Sequence, residues 1–244
     1  MMPTKGMSVD FPLALKPREG RGSVGFKKVN DREELETLIS NGAIKVEEYV
    51  IQEFIEEAEI HRVSYTMIDQ NNAVKSSMIS KSTRPYPLGI GTNSLFESVD
   101  MPEIARQAEL LLKLMGWQGY ASVCFIESEK DHIPKVMEIN GRISASFIIS
   151  VASGLHIVKQ LLEYAYGVDV TDQPENIKYG IQIIHSQSGA MWFLKSPQRF
   201  RKSDRKHKGL RKDLVFSISD PIPYFTYSLQ CFGKYKTEMK KRER

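Results

Sequence analysis

Cysteine is scarce in this sequence of 244 residues: Cys124 and Cys231 are the only two, and they stand far apart. That excludes a disulfide framework and any cysteine-based metal spacing, and it makes the reducing cytoplasm the expected setting. No apolar run approaches the roughly 20 residues that span a bilayer. The first ten residues lack the apolar core and small-residue cleavage site of a secretory signal. No Gly-Lys-Ser/Thr closes a glycine run, so a Walker A loop is excluded. The kinase set is missing too, because His61-Arg62-Val63 is the nearest match to its catalytic loop and lacks the aspartate. What is present, 41% hydrophobic and 26% charged, is an ordinary globular composition. The length allows one sizeable core, or two lobes around a cleft.

Charge is unevenly placed. Residues 1–194 hold 19 Lys and Arg against 25 Asp and Glu, whereas residues 195–244 hold 15 against 5. The run from Arg199 to Lys212 could attract nucleic acid or a membrane surface. It has few aromatics for base stacking, so a solvated linker is the preferred reading and neither partner is expected.

Phe11–Lys16 reads as a strand leading into the glycine-rich turn Glu19–Gly25, and Phe26–Val29 reads as a returning strand. Asp31 with Glu34 forms a capping box that opens a helix ending near Gly42. Tyr49–Ile55 and Glu59–Asp69 are β-rich, and Gln70-Asn71-Asn72 is a turn into a strand from Ala73. Ser82–Gly91 reads as a Pro/Gly loop, and Asp100 with Glu103 as a second capping box. Strands are expected at Ala121–Ile126 and Lys135–Ile139, a helix at Leu155–Tyr166, and a strand at Tyr179–His185. Hairpins mixed with a few helices predict an α+β fold.

Two patterns carry chemistry. Gly20-Arg21-Gly22-Ser23-Val24-Gly25 matches a dinucleotide-binding fingerprint, but a strand follows it where that fingerprint needs a helix. Backbone N–H groups in such a loop can still approach phosphate oxygens, and Lys16 sits at its entry. A plain surface hairpin remains the rival reading. Glu138 and Asn140, two apart on a strand, share a face. Their oxygens suit Mg²⁺, which keeps water and phosphate in its other positions, and Arg142 follows within reach of a phosphoryl group.

Three segments stand in order: Leu15–Ser23, then Gln52-Glu53-Phe54-Ile55 with Glu59, then Glu138-Ile139-Asn140-Gly141-Arg142. Together they resemble the ATP-grasp superfamily over about residues 11–185, closest to the branch holding carbamoyl phosphate synthetase large subunits and carboxylate–amine ligases. The resemblance implies two α+β lobes clasping ATP between antiparallel sheets. They would be a small lobe over 11–55, a larger lobe with the metal over 56–194, and a basic extension over 195–244. It implies that Lys16 binds the ATP phosphates, and that Gly20, Arg21, Gly22 and Ser23 close over them. Glu53 with the Phe54 and Ile55 backbone would recognise adenine, and Glu59 the ribose. Glu138 and Asn140 would hold Mg²⁺ (or Mn²⁺), Arg142 would steady the transferring phosphoryl, and Arg84 resembles an arginine aimed at substrate. The activity implied is ATP-dependent ligation of a small-molecule carboxylate to an amine through an acyl phosphate.

Two departures qualify this. Cys124 stands where the family commonly has an acidic or amide ligand, and a thiol suits a hard cation poorly. The family's N-terminal domain is also missing, so the chain reads as N-terminally truncated. A separately encoded N-terminal partner, with this chain as a non-catalytic ATP-binding module, is the alternative expectation.

Overall fold

The computed structural model describes residues 10–19, 24–55, 60–86, 88, 91–127, 132–200 and 211–231. Gly20, Arg21, Gly22, Ser23 and Glu59 therefore lie outside the described residues, as do residues 201–210 of the basic run.

The described residues form two sheets. The first is a three-stranded antiparallel sheet in the order β2-β1-β3, from β1 (Leu13–Pro17), β2 (Lys27–Val29) and β3 (Tyr49–Glu53). Between β2 and β3 runs α1 (Arg32–Ser40). Its start is set locally: Asp31 Oδ1 accepts the Glu34 N–H at 2.8 Å, and Glu34 Oε2 accepts the Asn30 N–H at 2.8 Å. The expected box is thus present, reaching one residue further back. Leu13, Leu15, Val29 and Ile44 form this lobe's small core.

The second sheet has seven strands, in the order β10-β9-β6-β5-β4-β7-β8. Its members are β4 (Ile60–Ile68), β5 (Val74–Tyr86), β6 (Thr92–Val99), β7 (Gly119–Glu127), β8 (Pro134–Asn140), β9 (Gln182–Ile184) and β10 (Arg211–Asp213). All pairings are antiparallel except β9–β10. Helix α2 (Pro102–Leu114) covers one face, over Ile68, Ile79, Val123 and Phe125. The helices α3 (Ile148–Ala152) and α4 (Ile157–Ala165) cover the other, over Tyr65, Met67 and Tyr120. Among the described residues no single helix is long and apolar enough to cross a membrane.

Three expectations are corrected. Ser82–Tyr86 is not loop but the end of β5, paired with β6. The α2 cap is Met101, with Pro102 at the first turn, so Asp100 lies outside the helix. The segment 195–244, expected as an extension, contributes β10 to the larger sheet, so part of it is packed into that lobe.

The rest of that packing is specific. Helix α5 (Ser186–Lys195) is capped by His185, whose Nδ1 accepts the Ser188 N–H at 3.2 Å. Nε2 therefore carries the proton and donates to Tyr227 Oη at 3.1 Å, on a terminal helix α6 (222–231). Gln187 Nε2 donates to Ser228 Oγ at 2.7 Å, and Asp213 of β10 accepts from Ser186. Burial pulls the His185 pKa below the usual 6.5, with Asp213 opposing it. A depressed histidine pKa means the unfolded chain binds the proton more readily, so stability is lost as pH falls below 6.5. Protonation also removes the acceptor that caps α5. Proteolysis near α6 is expected to accelerate between neutral and mildly acidic pH, and His185→Gln is expected to remove most of that pH dependence.

Candidate functional site

The small sheet meets the larger one at its edge strand β8. Two contacts fix the approach: Gln52 Nε2 donates to the Met137 carbonyl at 3.1 Å, and Lys135 Nζ pairs with Glu53 at 2.9 and 3.0 Å. Both join β3 to β8, so the ends of these strands form the seam between the lobes.

Lys16 enters from β1, where it pairs with Val50. It is half-buried, and burial lowers its pKa, while Glu138 and then Cys124 raise it. A partly desolvated lysine is poised to gain from an incoming anion. At the end of the glycine loop, Gly25 has φ +77°, and a Cβ there would lie 2.8 Å from Pro17 Cγ. Only glycine fits at that position, which lies close against Pro17 at the end of β1.

Across the seam, Glu138 pairs with Cys124, and Asn140 with Ser122, between β8 and β7. The two-residue spacing puts Glu138 and Asn140 on one face, and Asn140 Nδ2 donates to Glu138 Oε1 at 3.0 Å. Rotating the amide about its soft terminal torsion would present its oxygen instead. Cys124 lies on the same face, with Asn140 Nδ2 3.7 Å from Sγ. Burial pushes the Cys124 thiol up to about 12, Glu138 adds to this, and Asn140, Lys16 and Arg142 oppose it. Cys124 thus brings no negative charge at neutral pH. The hard donors present, one carboxylate and one amide oxygen, fit a single Mg²⁺ that takes its remaining ligands from water and phosphate. Among the described residues no cluster of three or more His, Cys, Asp and Glu could hold a metal by itself.

Arg142 stands just past β8, exposed, and within electrostatic reach of Cys124. Glu53 ends β3 with its carboxylate on Lys135. Next to it, the Phe54 N–H donates to the Pro12 carbonyl at 3.1 Å, and Lys28 lies over the Phe54 ring at 4.6 Å. Ile55 follows, half-buried. Arg84, near the end of β5, has φ +62°, and its guanidinium stacks on the Trp192 ring of α5 at 5.1 Å.

One residue of the site was not anticipated. His61, near the start of β4, is half-buried, and desolvation lowers its pKa while Glu138 raises it and Lys16 lowers it further. Asn93 Nδ2 of β6 lies 2.9 Å from its Nδ1. In the sequence His61 registered only as a failed kinase motif, because its position depends on the pairing of β4 with β7.

The family profile described as an ATP-grasp domain matches residues 3–146. This chain belongs to the ATP-grasp family. A D-alanine–D-alanine ligase of Francisella philomiragia is 28% identical over 141 residues, covering 54% of this chain and 45% of that enzyme. Among solved structures, the biotin carboxylase domain of Hydrogenobacter thermophilus 2-oxoglutarate carboxylase, complexed with MgADP and bicarbonate, superposes with a TM-score of 0.57. It is 20% identical, over 71% of this chain and 40% of that one. An L-amino acid ligase of Bacillus licheniformis gives 0.53 at 20% identity, over 72% and 44%. These two show a shared fold. The ATP-grasp chain described here spans less than half the length of each of the three.

Proposed function

We propose that this ATP-grasp chain binds ATP with a divalent cation between its sheets and transfers the γ-phosphoryl to a substrate carboxylate, forming an acyl phosphate that an amine then opens. One observation supports this above the rest. Lys16 from the small lobe, and Glu138, Asn140 and Arg142 from the edge of the larger sheet, gather about Cys124 at the seam between the sheets.

Lys16 holds phosphate oxygens, and Glu138 with Asn140 holds the ion. Magnesium, when bound there, supplies charge neutralisation at the phosphoryl oxygens. Arg142 steadies the charge on the transferring group, and Arg84 orients the carboxylate. Adenine lies against the seam, read by the Phe54 carbonyl and the Ile55 backbone, since the Phe54 N–H is already engaged. Glu53 pins that seam through Lys135, and Glu59 takes the ribose. Gly20, Arg21, Gly22 and Ser23 close over the phosphates and keep water from the acyl phosphate. The relatives named as ligases and the MgADP complex support these assignments of substrate class and cation.

A second reading is favoured by Cys124: with one carboxylate at the metal face, the chain serves as an ATP-binding module that reaches full activity with a separate N-terminal domain. Hydroxylamine trapping separates the two. With ATP, Mg²⁺ and a panel of carboxylates, the ligase reading predicts ADP release and hydroxamate from at least one. Saturable ATP binding with no hydroxamate from any carboxylate would favour the module.

A further inference from the structure

Trp117 has no part in the reading above, yet it touches the segment on which that reading rests. A Cβ on Gly141 would lie 2.5 Å from Trp117 Cη2 and 2.7 Å from Cζ2. Real side chains do not come that close, so the indole ring occupies the space that any other residue at 141 would need. Gly141 separates Asn140 from Arg142.

The ring's own position is set from the far side. Helix α2 ends with Gly116 at φ +66°; the Gly116 N–H donates to the Lys113 carbonyl at 3.0 Å and the Trp117 N–H to the Leu112 carbonyl at 2.9 Å. This pair of bonds is a Schellman motif, and it fixes the direction in which Trp117 leaves the helix. Trp117 Nε1 then donates to the Tyr120 carbonyl at 3.3 Å, which sets the plane of the ring. The apolar body of the ring packs with Ile139 against the core beneath α2. A helix end, a strand and a core thus converge on one ring, and its outer edge lies on the turn between Asn140 and Arg142.

We infer that Trp117 is a positioning residue for the metal and phosphoryl groups: it braces the Gly141 turn so that the Asn140 amide and the Arg142 guanidinium hold their directions at the seam. This rests on the assignment of Glu138 and Asn140 to the cation. Groups that orient metal ligands without touching the metal typically change affinity by roughly tenfold to a hundredfold when removed.

The pairing of a ring with an absent side chain gives a reciprocal test. Mn²⁺ binding in the presence of ADP is followed by the loss of the free Mn²⁺ signal in electron paramagnetic resonance, for wild type, Trp117→Ala, Gly141→Ala and the double variant. Metal-free ADP binding and thermal melting are measured beside it. The expected result is a Mn²⁺ affinity roughly tenfold or more lower in each single variant, with metal-free ADP affinity unchanged because Lys16 lies on the other lobe. The double variant is expected to bind Mn²⁺ better than Gly141→Ala, since the collision has been removed. Absence of Mn²⁺ binding in the wild type would overturn the metal assignment itself. Wild-type binding that survives both single substitutions, or a double variant no better than Gly141→Ala, would overturn the role of Trp117 alone. A drop in melting temperature with unchanged Mn²⁺ affinity would do the same.

Discussion

Replacing Glu138 with alanine is expected to abolish the magnesium-dependent stabilisation of the chain by ATP. A ligand present at a hundred times its dissociation constant stabilises the native state by about 2.7 kcal/mol. For a chain of this size that corresponds to a rise of roughly 5–10 °C in melting temperature. Glu138 faces Cys124 rather than a second acid across β7–β8, and among the described residues no cluster of three or more His, Cys, Asp and Glu could hold a metal. The Cys124 thiol opposite cannot take over its charge, so the magnesium-dependent part of the shift should vanish. A smaller, magnesium-independent shift through Lys16 should remain. The apo protein should melt close to wild type, since Glu138 is exposed. A shift equal to wild type in Glu138→Ala would remove this residue from the cation site.

The second large effect is expected at Lys16. A charge-assisted hydrogen bond contributes about 1.5–3 kcal/mol, so Lys16→Met should weaken nucleotide binding by roughly tenfold to more than a hundredfold, with or without metal. The pH dependence follows from the lowered pKa of this lysine. Bound phosphate favours the ammonium, so binding takes up a proton wherever Lys16 is partly neutral in the free protein. Affinity should fall as pH rises through that lowered value, sooner than for a lysine at the ordinary 10.5. In the absence of nucleotide the sign reverses. The unfolded chain holds the proton more tightly than the folded one, so apo stability rises with pH across the same window. Lys16→Met should remove both trends. An unaltered affinity–pH profile in that variant would place the phosphate contact elsewhere.

How far these features can be read from the sequence depends on the range of the interactions that create them. The α1 start was legible because Asp31 and Glu34 act within one turn. The pairing of Glu138 with Asn140 was legible because a strand puts alternate residues on one face. Strand β6 was not legible. Its Ser94 and Ser98 are buried, with Ser94 Oγ donating to the Arg84 carbonyl and Ser98 Oγ to the Lys178 carbonyl. Polar residues satisfied across the sheet look like loop residues in one dimension. Helix α5 was hidden in the same way: its cap is a histidine side chain, and Gly189 within it lies close against Ile184. β10 is a run of Arg, Lys and Asp with no strand pattern, held by its parallel pairing to β9.

The site divides along the same line. Lys16, Glu138, Asn140 and Arg142 each sit in a segment whose local pattern suggests its chemistry. His61 and Trp117 are placed by strand pairing and helix termination, and neither position is visible before the chain is folded. Arg84 was recognised by residue type but misplaced in a loop. Its left-handed backbone within a strand and its stacking on Trp192 come from the tertiary structure.

The central claim is a single nucleotide–cation site at the seam between the two sheets, and calorimetric titration of Mg·ADP into the chain tests it most directly. The account predicts saturable binding at one site per chain, weakened when the cation is chelated, weakened further in Lys16→Met, and insensitive to Mg²⁺ in Glu138→Ala. Absence of saturable binding, or binding that none of these changes alters, would contradict it.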